Sequence, residues 1–485
     1  MTLVALGGAG TAQQADWLIN PSPYRADARQ EGKQIVLENG LLRLRIQQQP
    51  FALVGIEQLT SGQQLLRAAA PLGEFTLNGK VVRVGGVIKQ PNRAFLLHEW
   101  LEKMPADPLA IAAPAQLAMT GAISERFAWR RVRHAHAAAN WPAPGKHFRW
   151  QIDAGDYEVY VNIELYDGLP LFSHWLELHN KSEQLIEVDS FTSLRLPIVE
   201  AESRVEPQRS GVHLPNLYVE TDYSFHAMSG ADGSSHCVRW LTDPDYGTQV
   251  NYRKETLCLL EVKPDVGPAQ TVAKGQAFTT FRTFVLAPDS EDRERQSLAQ
   301  RRMYRTLAPW STENPLMMHV RSAEPDKVRA AIDQCAEVGF EMVILTFGSG
   351  FHIEDDSPEN LDRWRDIAKY AHDRGIEIGG YSLLSSRRIK PDTDNCINKD
   401  SGKPGGQVFG HAPALASAWG QAYFKKLYRF YEYTKFDLLE HDGSYPGDHD
   451  AMARPPLQKG YDDSRWVQYG IITKFYRWCR GRGIY

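Results

Sequence analysis

The segment FDLLEHDGSYPGD, residues 436–448, decides the fold that we expect for the second half of the chain. It begins with Phe436 and two leucines, which indicate a short buried strand, and it continues into a loop with Gly and Pro. Asp442 therefore lies where the strand ends. In folds built from parallel strands and crossover helices, the loops at this end converge on the crevice where chemistry is done. Asp442 is our candidate catalytic residue.

A repeat of helix, glycine and strand surrounds this segment. Gly339, Gly375 and Gly483 each stand between an apolar helical pattern and an apolar strand pattern. The predicted strands are 316–320, 341–347, 376–383, 436–442 and a fifth that begins at 484. Such βα units form right-handed crossovers and a parallel sheet. Two architectures fit, an open doubly wound sheet and the first half of an eight-stranded barrel.

Three features favour a (β/α)8 barrel of the TIM type. No phosphate-binding GxGxxG opens a helix, the loops after the strands are long and polar, and a β-rich half comes before the repeat. A barrel of this type takes ~250 residues, more than lie between 316 and 485. We therefore expect the sequence to stop inside its catalytic domain after about four βα units.

The first half of the chain has the period-two pattern of β-strands. Residues 157–165 alternate between apolar and polar side chains, Asp167 and Gly168 turn the chain, and residues 172–178 return. An all-β sandwich follows from this hairpin and from similar patterns. The segment 105–144, rich in Ala and Pro, is predicted to be a surface excursion. The similar strand patterns are 41–46, 75–84, 191–198 and 278–286.

These patterns divide the chain into a tail (1–29), a β-sandwich (30–300) and a partial barrel (312–485). The 485 residues are enough for two or three packed domains. With 55 Lys and Arg against 59 Asp and Glu, the charge gives no case for a nucleic-acid partner. No run of ~18 apolar residues predicts a membrane span. The 12 Trp, 20 Tyr and 19 Phe supply flat apolar faces that stack on sugar rings, although most are expected in the core.

Cysteines and the N-terminus bear on the cellular compartment. The five cysteines form no CxxC pair and no metal-ligand spacing, so we expect no structural zinc and no cofactor. Cys237 and Cys258 fall on neighbouring predicted strands, where an oxidising compartment would let them pair. Residues 2–12 are small and apolar, like the end of a secretory signal peptide, and otherwise form a disordered start. We therefore predict a secreted or periplasmic protein.

The chain resembles a known family in two places. Residues 161–170 and 176–180 resemble the galactose-mutarotase-like supersandwich that precedes the barrel in many carbohydrate-active enzymes. A sandwich followed by a βα barrel, with Asp442 closing strand four, resembles the α-galactosidase-like retaining glycosidases, which include α-N-acetylgalactosaminidases and raffinose-type transferases. The resemblance implies a hydrolase that cleaves terminal α-linked sugars of oligo- or polysaccharides. Asp442 would be the nucleophile, and an acid/base on strand six would lie beyond Tyr485.

Two departures from the family concern the sugar. Glu440 stands where family members usually place a Lys that donates to sugar hydroxyls, so a donor has become an acceptor. After strand two, residues 347–351 (FGSGF) replace an Asp pair that holds galactose hydroxyls. A modified or differently configured sugar is therefore as consistent with the sequence as galactose. The oligomeric state stays open, a homo-oligomer included.

The remaining candidates for substrate contacts follow predicted strands. Arg387 and Arg388 have side chains that bind a uronate or sulfate by bidentate contacts, or they form a solvated turn. His441 either orients a carboxylate or faces the barrel wall. Ser349 and Tyr381, together with the loop residue Asp448, are candidate hydroxyl partners.

Two other functions remain open from the sequence alone. The chain could be a noncatalytic carbohydrate-binding protein on a degenerate glycosidase scaffold. His441, Asp442, Asp448, His449 and Asp450 are residue types that bind metals, but Pro446-Gly447 interrupts them and their spacing matches no familiar site. We therefore favour an enzyme without a metal.

Overall fold

The structure is a computed structural model that describes residues 16–88, 96, 104–129, 140–202, 213–223, 237–312, 314–406, 410–443 and 448–485. Residues 2–12, on which the signal-peptide prediction rests, lie outside these ranges, so the prediction of secretion stays a prediction. Within them, no helix combines the length and the apolar character that a membrane span requires.

The first unit consists of β-strands. In chain order they are β1 (Asp27–Glu31), β2 (Gln34–Glu38), β3 (Leu42–Gln48), β4 (Phe51–Gln58), β5 (Gln63–Gln64), β6 (Glu74–Leu77), β7 (Lys80–Arg83), β8 (Ala115–Ala122), β9 (Gly145–Asp153), β10 (Tyr157–Tyr166), β11 (Leu171–Asn180), β12 (Ile186–Thr192), β13 (Leu194–Pro197), β14 (Tyr218–Thr221), β15 (Val238–Thr242), β16 (Leu257–Val262), β17 (Pro268–Val272), β18 (Ala277–Thr279) and β19 (Thr283–Leu286).

These strands form four sheets around one large core. The largest sheet has the order β14-β19-β11-β10-β9-β8, with β18 also on β11, and the others are β1-β2-β3-β4-β5, β17-β12-β6-β7 and β13-β16-β15. The predicted hairpin is confirmed, because β10 and β11 pair antiparallel with Val161 opposite Leu176. Val159, Val161 and Ile163 on β10 all face the core. The period of two in the sequence therefore directs alternate side chains inward.

Three of the predicted strands are divided in the structure. The segment 75–84 is a hairpin of β6 and β7, because Asn78 and Gly79 both adopt positive φ and turn the chain. The segment 191–198 is split between β12 and β13, and 278–286 between β18 and β19. The prediction of an excursion over 105–144 was wrong for β8, which pairs with β9 in the large sheet. Residues 130–139 of that segment lie outside the described ranges.

The second unit alternates strands and helices. Its strands are β20 (Met317–Val320), β21 (Met342–Leu345), β22 (Glu377–Leu383) and β23 (Leu438–Asp442). The helices are α1 (Arg293–Leu307), which joins the two units, α2 (Pro325–Val338), α3 (Pro358–His372), α4 (Ala418–Thr434) and α5 (Tyr461–Arg482). Two short 3-10 turns are Pro309–Thr312 and Asp392–Asp394.

Helix α2 illustrates how the sequence determines these elements. Pro325 occupies its first turn, and Gly339 ends it with φ 84°. Its inward stripe includes Val328, Ile332 and Cys335, which are all fully buried. The predicted helix and its end are therefore confirmed. Helix α1 was not predicted, although Asp292 caps its start by accepting a hydrogen bond from the backbone N–H of Arg295.

Strands β20 to β23 form a parallel sheet in sequential order. Side chains of α2 to α5 share one core with Val343 and Leu345, which point to one face of the sheet. Ile344 and Leu438 point to the other face and form a separate small cluster. Tyr485 donates from its backbone N–H to Asp437 and accepts from Leu439, which is the pattern of a parallel neighbour of β23. The helices described here therefore cover one face only.

Helix α5 joins the second unit to the sandwich. Trp466 packs against the rings of Phe191, Phe278 and Tyr223, at centroid distances of 5.8, 5.4 and 5.3 Å. Next to it, Arg465 forms an ion pair of 2.6 Å with Asp265 of the sandwich. The two units are therefore held by an aromatic cluster with a half-buried ion pair beside it.

Asp265 is expected to make the stability of this contact depend on pH. Burial raises its pKa, but the neighbouring His449 and Arg465 lower it more strongly, to about 2. This lies below the ~3.9 of an unfolded Asp, so the stabilisation is complete above pH ~4 and is lost as the pH falls towards 2. We expect Asp265→Asn to lose roughly 2 kcal/mol at neutral pH. Thermal unfolding measured from pH 6 to pH 2.5 tests this.

Thermal unfolding over the same pH range also provides a control for Asp265→Asn. The difference in unfolding temperature between wild type and Asp265→Asn should shrink below pH 4. Glu432→Gln removes an exposed ion pair with Arg482 and should change little at any pH. A difference from Asp265→Asn that stays constant down to pH 2.5 would contradict the pKa of this carboxyl.

The possible pairing of Cys237 and Cys258 is not found. All five cysteines are buried free thiols. The predicted neighbourhood of the two strands is right, but Cys237 precedes β15 next to Lys263, whereas Cys258 lies near the start of β16. Five residues of extended strand separate these points, roughly 15 Å, which is beyond the reach of a disulfide.

Candidate functional site

Strand β23 divides the candidate residues between its two faces. Leu438 belongs to the cluster on the face opposite the helices, and Leu439 packs against the core shared with the helices. Because successive side chains alternate, Glu440 and Asp442 lie on the face of Leu438, and His441 lies on the face of the helices. The two carboxylates therefore share one side of the sheet at the carboxyl end of the strand.

Asp442 is held by a phenol from the neighbouring strand. It is half-buried, and the hydroxyl of Tyr381 on β22 donates to its Oδ2 at 2.5 Å. Burial raises the pKa of Tyr381, and the hydrogen bond to Asp442 and its negative charge raise it further. The phenol therefore keeps its proton at neutral pH and stabilises the carboxylate. Within the part of the chain that the structure describes, Asp442 forms no ion pair.

Glu440 lies on the same face of the sheet, two residues before Asp442 in β23. In the register of the sheet it stands opposite Tyr381. Its Oε2 is buried and has no hydrogen-bond partner among the described residues. Buried carboxylate oxygens are normally hydrogen-bonded, so this atom is available to accept from a bound molecule.

Gly443 sets the direction of the chain after Asp442. It has φ 72°, and a Cβ added there would lie 2.3 Å from the Cβ of Ser385. The carbonyl of Asp442 also accepts from the backbone N–H of Leu384 at 2.8 Å. The carboxyl ends of β22 and β23 are therefore tightly fixed, which limits the positions that the Asp442 carboxylate adopts.

His441 faces the helices and not the carboxylate beside it in sequence. Its Nε2 lies 2.9 Å from the hydroxyl of Tyr423 on α4, and its Nδ1 lies 2.8 Å from that of Tyr476 on α5. Burial, with a smaller effect of Arg387, lowers the pKa of His441 to about 3. The ring is therefore neutral at physiological pH. Both ring nitrogens lie against tyrosines of the helices, so the predicted orientation of the Asp442 carboxylate by His441 finds no support in these contacts.

The two arginines after β22 are already engaged with protein groups. Nη1 of Arg387 donates to Glu354 at 2.9 Å, and its guanidinium lies 4.6 Å from the ring centre of Trp419. Arg388 is exposed and forms an ion pair of 2.7 Å with Asp392. The alternative of a solvated turn fits Arg388, whereas Nε and Nη2 of Arg387 are buried without a hydrogen-bond partner among the described residues.

Ser349 lies in the loop after β21, and Asp448 lies in the loop after β23. The hydroxyl of Ser349 accepts from the backbone N–H of Phe351, which stabilises the turn after β21. Asp448 is only 2% exposed, and its Oδ2 lies 2.0 Å from the position of a Cβ added to Gly406, so this carboxylate packs against the β22–α4 loop. Of these three predicted partners of sugar hydroxyls, Tyr381 is the one that donates a hydrogen bond to Asp442.

The metal alternative finds no support in the arrangement of its residues. Asp450 is fully buried and binds Arg454 and Gln458, and His449 lies beside Asp265. Across the described ranges, no group of three or more His, Cys, Asp and Glu side chains is arranged to hold a metal ion.

Sequence reasoning missed the role of one aromatic residue at the site. Phe347 follows β21, is 69% exposed, and makes an edge contact with Tyr381 at 5.3 Å between ring centres. From the sequence, Phe347 was identified only as part of the loop that replaces an acidic pair. Its position directly after an apolar strand was the signal that placed it at the same edge as Asp442.

Comparisons with known proteins found similarity in solved structures alone. No family model matches the chain, and no curated protein matches its sequence. The GH36 α-galactosidase AgaB from Geobacillus stearothermophilus is 14% identical, with 93% of this chain and 70% of that chain covered and a TM-score of 0.49. An AgaA variant from the same organism, in complex with raffinose, is 12% identical, with 93% and 71% covered and a TM-score of 0.48.

A third solved structure gives a similar result. The α-galactosidase from Lactobacillus brevis is 11% identical, with 94% of this chain and 67% of that chain covered and a TM-score of 0.45. The α-galactosidase-like resemblance in the sequence agrees with these matches. These matches to solved α-galactosidases cover 93–94% of this chain, at identities of 10–14% and with TM-scores below 0.5.

Proposed function

We propose that this protein is a glycoside hydrolase that cleaves a terminal α-linked sugar with retention of configuration, with Asp442 as its nucleophile. The observation that carries the proposal is the hydrogen bond from Tyr381 to Oδ2 of Asp442, at the carboxyl ends of two adjacent parallel strands. A nucleophilic carboxylate must be ionised, fixed and free of a competing cation. Asp442 is fixed by Tyr381 and forms no ion pair with a described residue.

The sheet is proposed to be part of a (β/α)8 barrel. Its four strands follow one another in sequential order without reversal, and helices α2 to α5 contribute to one core on one face. A doubly wound sheet would reverse its strand order and place helices on both faces. In the barrel arrangement, Glu440 and Asp442 point towards the barrel axis, and Asp442 lies at the end where active sites form.

The proposed reaction follows from this placement. Tyr381 holds Oδ2, and Oδ1 attacks the anomeric carbon as the bond to the leaving oxygen breaks. A second acid protonates that oxygen. A water molecule, deprotonated by the same residue, then attacks the anomeric carbon and releases the sugar and the Asp442 carboxylate. The described residues do not identify this acid. The buried Oε2 of Glu440 accepts a hydrogen bond from a hydroxyl of the sugar ring.

Trapping of the covalent intermediate tests the proposal. The full-length protein is incubated with a 2-deoxy-2-fluoro α-glycoside that carries a good leaving group. With this reagent, the glycosyl-enzyme forms faster than the glycosyl-enzyme is hydrolysed. We expect one sugar per chain and a mass increase on the peptide that contains Asp442. Labelling of another carboxylate would reassign the nucleophile, and binding of glycosides without labelling or turnover would favour a noncatalytic carbohydrate-binding protein.

A further inference from the structure

Phe347 is an exposed aromatic side chain at the mouth of the proposed active site. It is 69% exposed, and its ring meets the ring of Tyr381 at an interplanar angle of 64°. Tyr381 in turn donates to Asp442. An apolar ring next to a polar, hydrogen-bonded carboxylate fits a ligand that has both polar groups and an apolar face, as a pyranose does.

The sheet sets the distance between this ring and the carboxylate. Phe347, Tyr381 and Asp442 come from the carboxyl ends of three adjacent strands, β21, β22 and β23. Neighbouring strands lie about 4.8 Å apart, so roughly 10 Å separates the outer two positions. A sugar with its anomeric carbon at Asp442 reaches Phe347 with the opposite edge of its ring.

The charges around this space disfavour an anionic sugar. Glu440 and Asp442 both present carboxylates to it. Arg387 is paired with Glu354 through Nη1 and Arg388 is paired with Asp392, although Nε and Nη2 of Arg387 are buried without a hydrogen-bond partner among the described residues. A carboxylate or sulfate on the edge of the sugar next to Phe347 would meet an apolar ring, and the carboxylates of Glu440 and Asp442 would repel it.

We propose that Phe347 is a specificity-determining residue that stacks against the edge of the sugar remote from its anomeric carbon, and that the sugar is a neutral pyranoside with an apolar edge at that position. This inference rests on the proposed function for the location of the anomeric carbon. A 6-deoxyhexose or a pentopyranose presents such an edge, and a uronate does not.

Kinetics of Phe347 variants of the full-length protein test the inference. Activated aryl α-glycosides of a hexose, its 6-deoxy counterpart and the corresponding uronate are compared. We expect Phe347→Ala to raise KM for the neutral substrates about tenfold with a smaller change in kcat. Phe347→Trp, which keeps an aromatic ring at this position, should have a KM close to that of the wild type. Val338 is an exposed apolar residue at the end of α2, at the opposite end of the sheet from Asp442. Val338→Ala should therefore leave KM unchanged. A uronate processed as well as the neutral sugars, or an unchanged KM in Phe347→Ala, would overturn the inference.

A binding measurement separates this inference from the proposed reaction. Calorimetric titration of Asp442→Asn with a neutral methyl glycoside should show affinity that falls about tenfold when Phe347→Ala is added. If that fall occurs while the wild type turns over no glycoside, the stacking role stands and the hydrolase proposal fails. If turnover is present and the affinity does not change, Phe347 has no such role.

Discussion

Asp442→Asn is expected to lower kcat on activated aryl α-glycosides by at least roughly a thousandfold, because removal of the proposed nucleophile leaves only the contribution of binding and orientation. The amide is nearly isosteric with the carboxylate, so the hydrogen bond from Tyr381 has an acceptor in the variant as well. We therefore expect an unchanged unfolding temperature. Steady-state kinetics and far-UV circular dichroism measure the two quantities.

Two matched variants make this result specific. Asp437→Asn is the same change just before β23, where the carboxylate binds His372 and the backbone N–H of Ile378. It should affect stability and leave kcat within about twofold. Tyr381→Phe removes one hydrogen bond to a charged group, which corresponds to a loss of about tenfold to a hundredfold in kcat.

Chemical rescue decides between a nucleophile and a structural carboxylate. Asp442→Ala opens space for a small anion, and azide then attacks the anomeric carbon in place of the missing side chain. We expect azide to restore turnover and to give a glycosyl azide of inverted configuration. Wild-type activity in Asp442→Asn, or a variant that unfolds and does not respond to azide, would contradict the assignment of Asp442.

The position of Asp442 was predictable because it depends on local sequence. A carboxylate at the end of a buried strand is predicted by an apolar run that is followed by an acidic residue and Gly443. Because side chains alternate along a strand, Glu440 and Asp442 lie on one face of the sheet and His441 lies on the other. The partner Tyr381 was predicted as a candidate for the site, but its hydrogen bond to Asp442 depends on the register between β22 and β23. Register between distant strands is determined by tertiary packing and has no local signature.

Other features escaped prediction for physical reasons. Helix α1 consists mostly of polar residues. Only three of its residues are buried, namely Ala299, Met303 and Leu307. Such a sparse stripe is weaker than the patterns of α2 or α4. The division of segment 75–84 was readable from Asn78-Gly79, a hairpin signal that the alternating pattern concealed. The environment of Arg387 depends on Glu354 and Trp419, which the fold brings together from two other segments.

Trp466→Ala is expected to be the most destabilising single change at the contact between the two units, by about 3 kcal/mol. Trp466 on α5 fills the space among Phe191, Tyr223 and Phe278, so its removal leaves a cavity that the two rigid sheets do not close. We expect the unfolding transition, followed by circular dichroism and by tryptophan fluorescence, to separate into two steps.

Trp478 on the same helix provides the control, since the two variants remove the same side chain. Its ring packs against Tyr428 and Phe475, which belong to the second unit. Trp478→Ala should therefore lower the unfolding temperature of the second unit without exposing the sandwich. Hydrogen exchange distinguishes the two results, because Trp466→Ala alone should accelerate exchange in β12 and β18, which carry Phe191 and Phe278. Equal exchange in both variants would mean that the two units are held together by contacts other than this aromatic cluster.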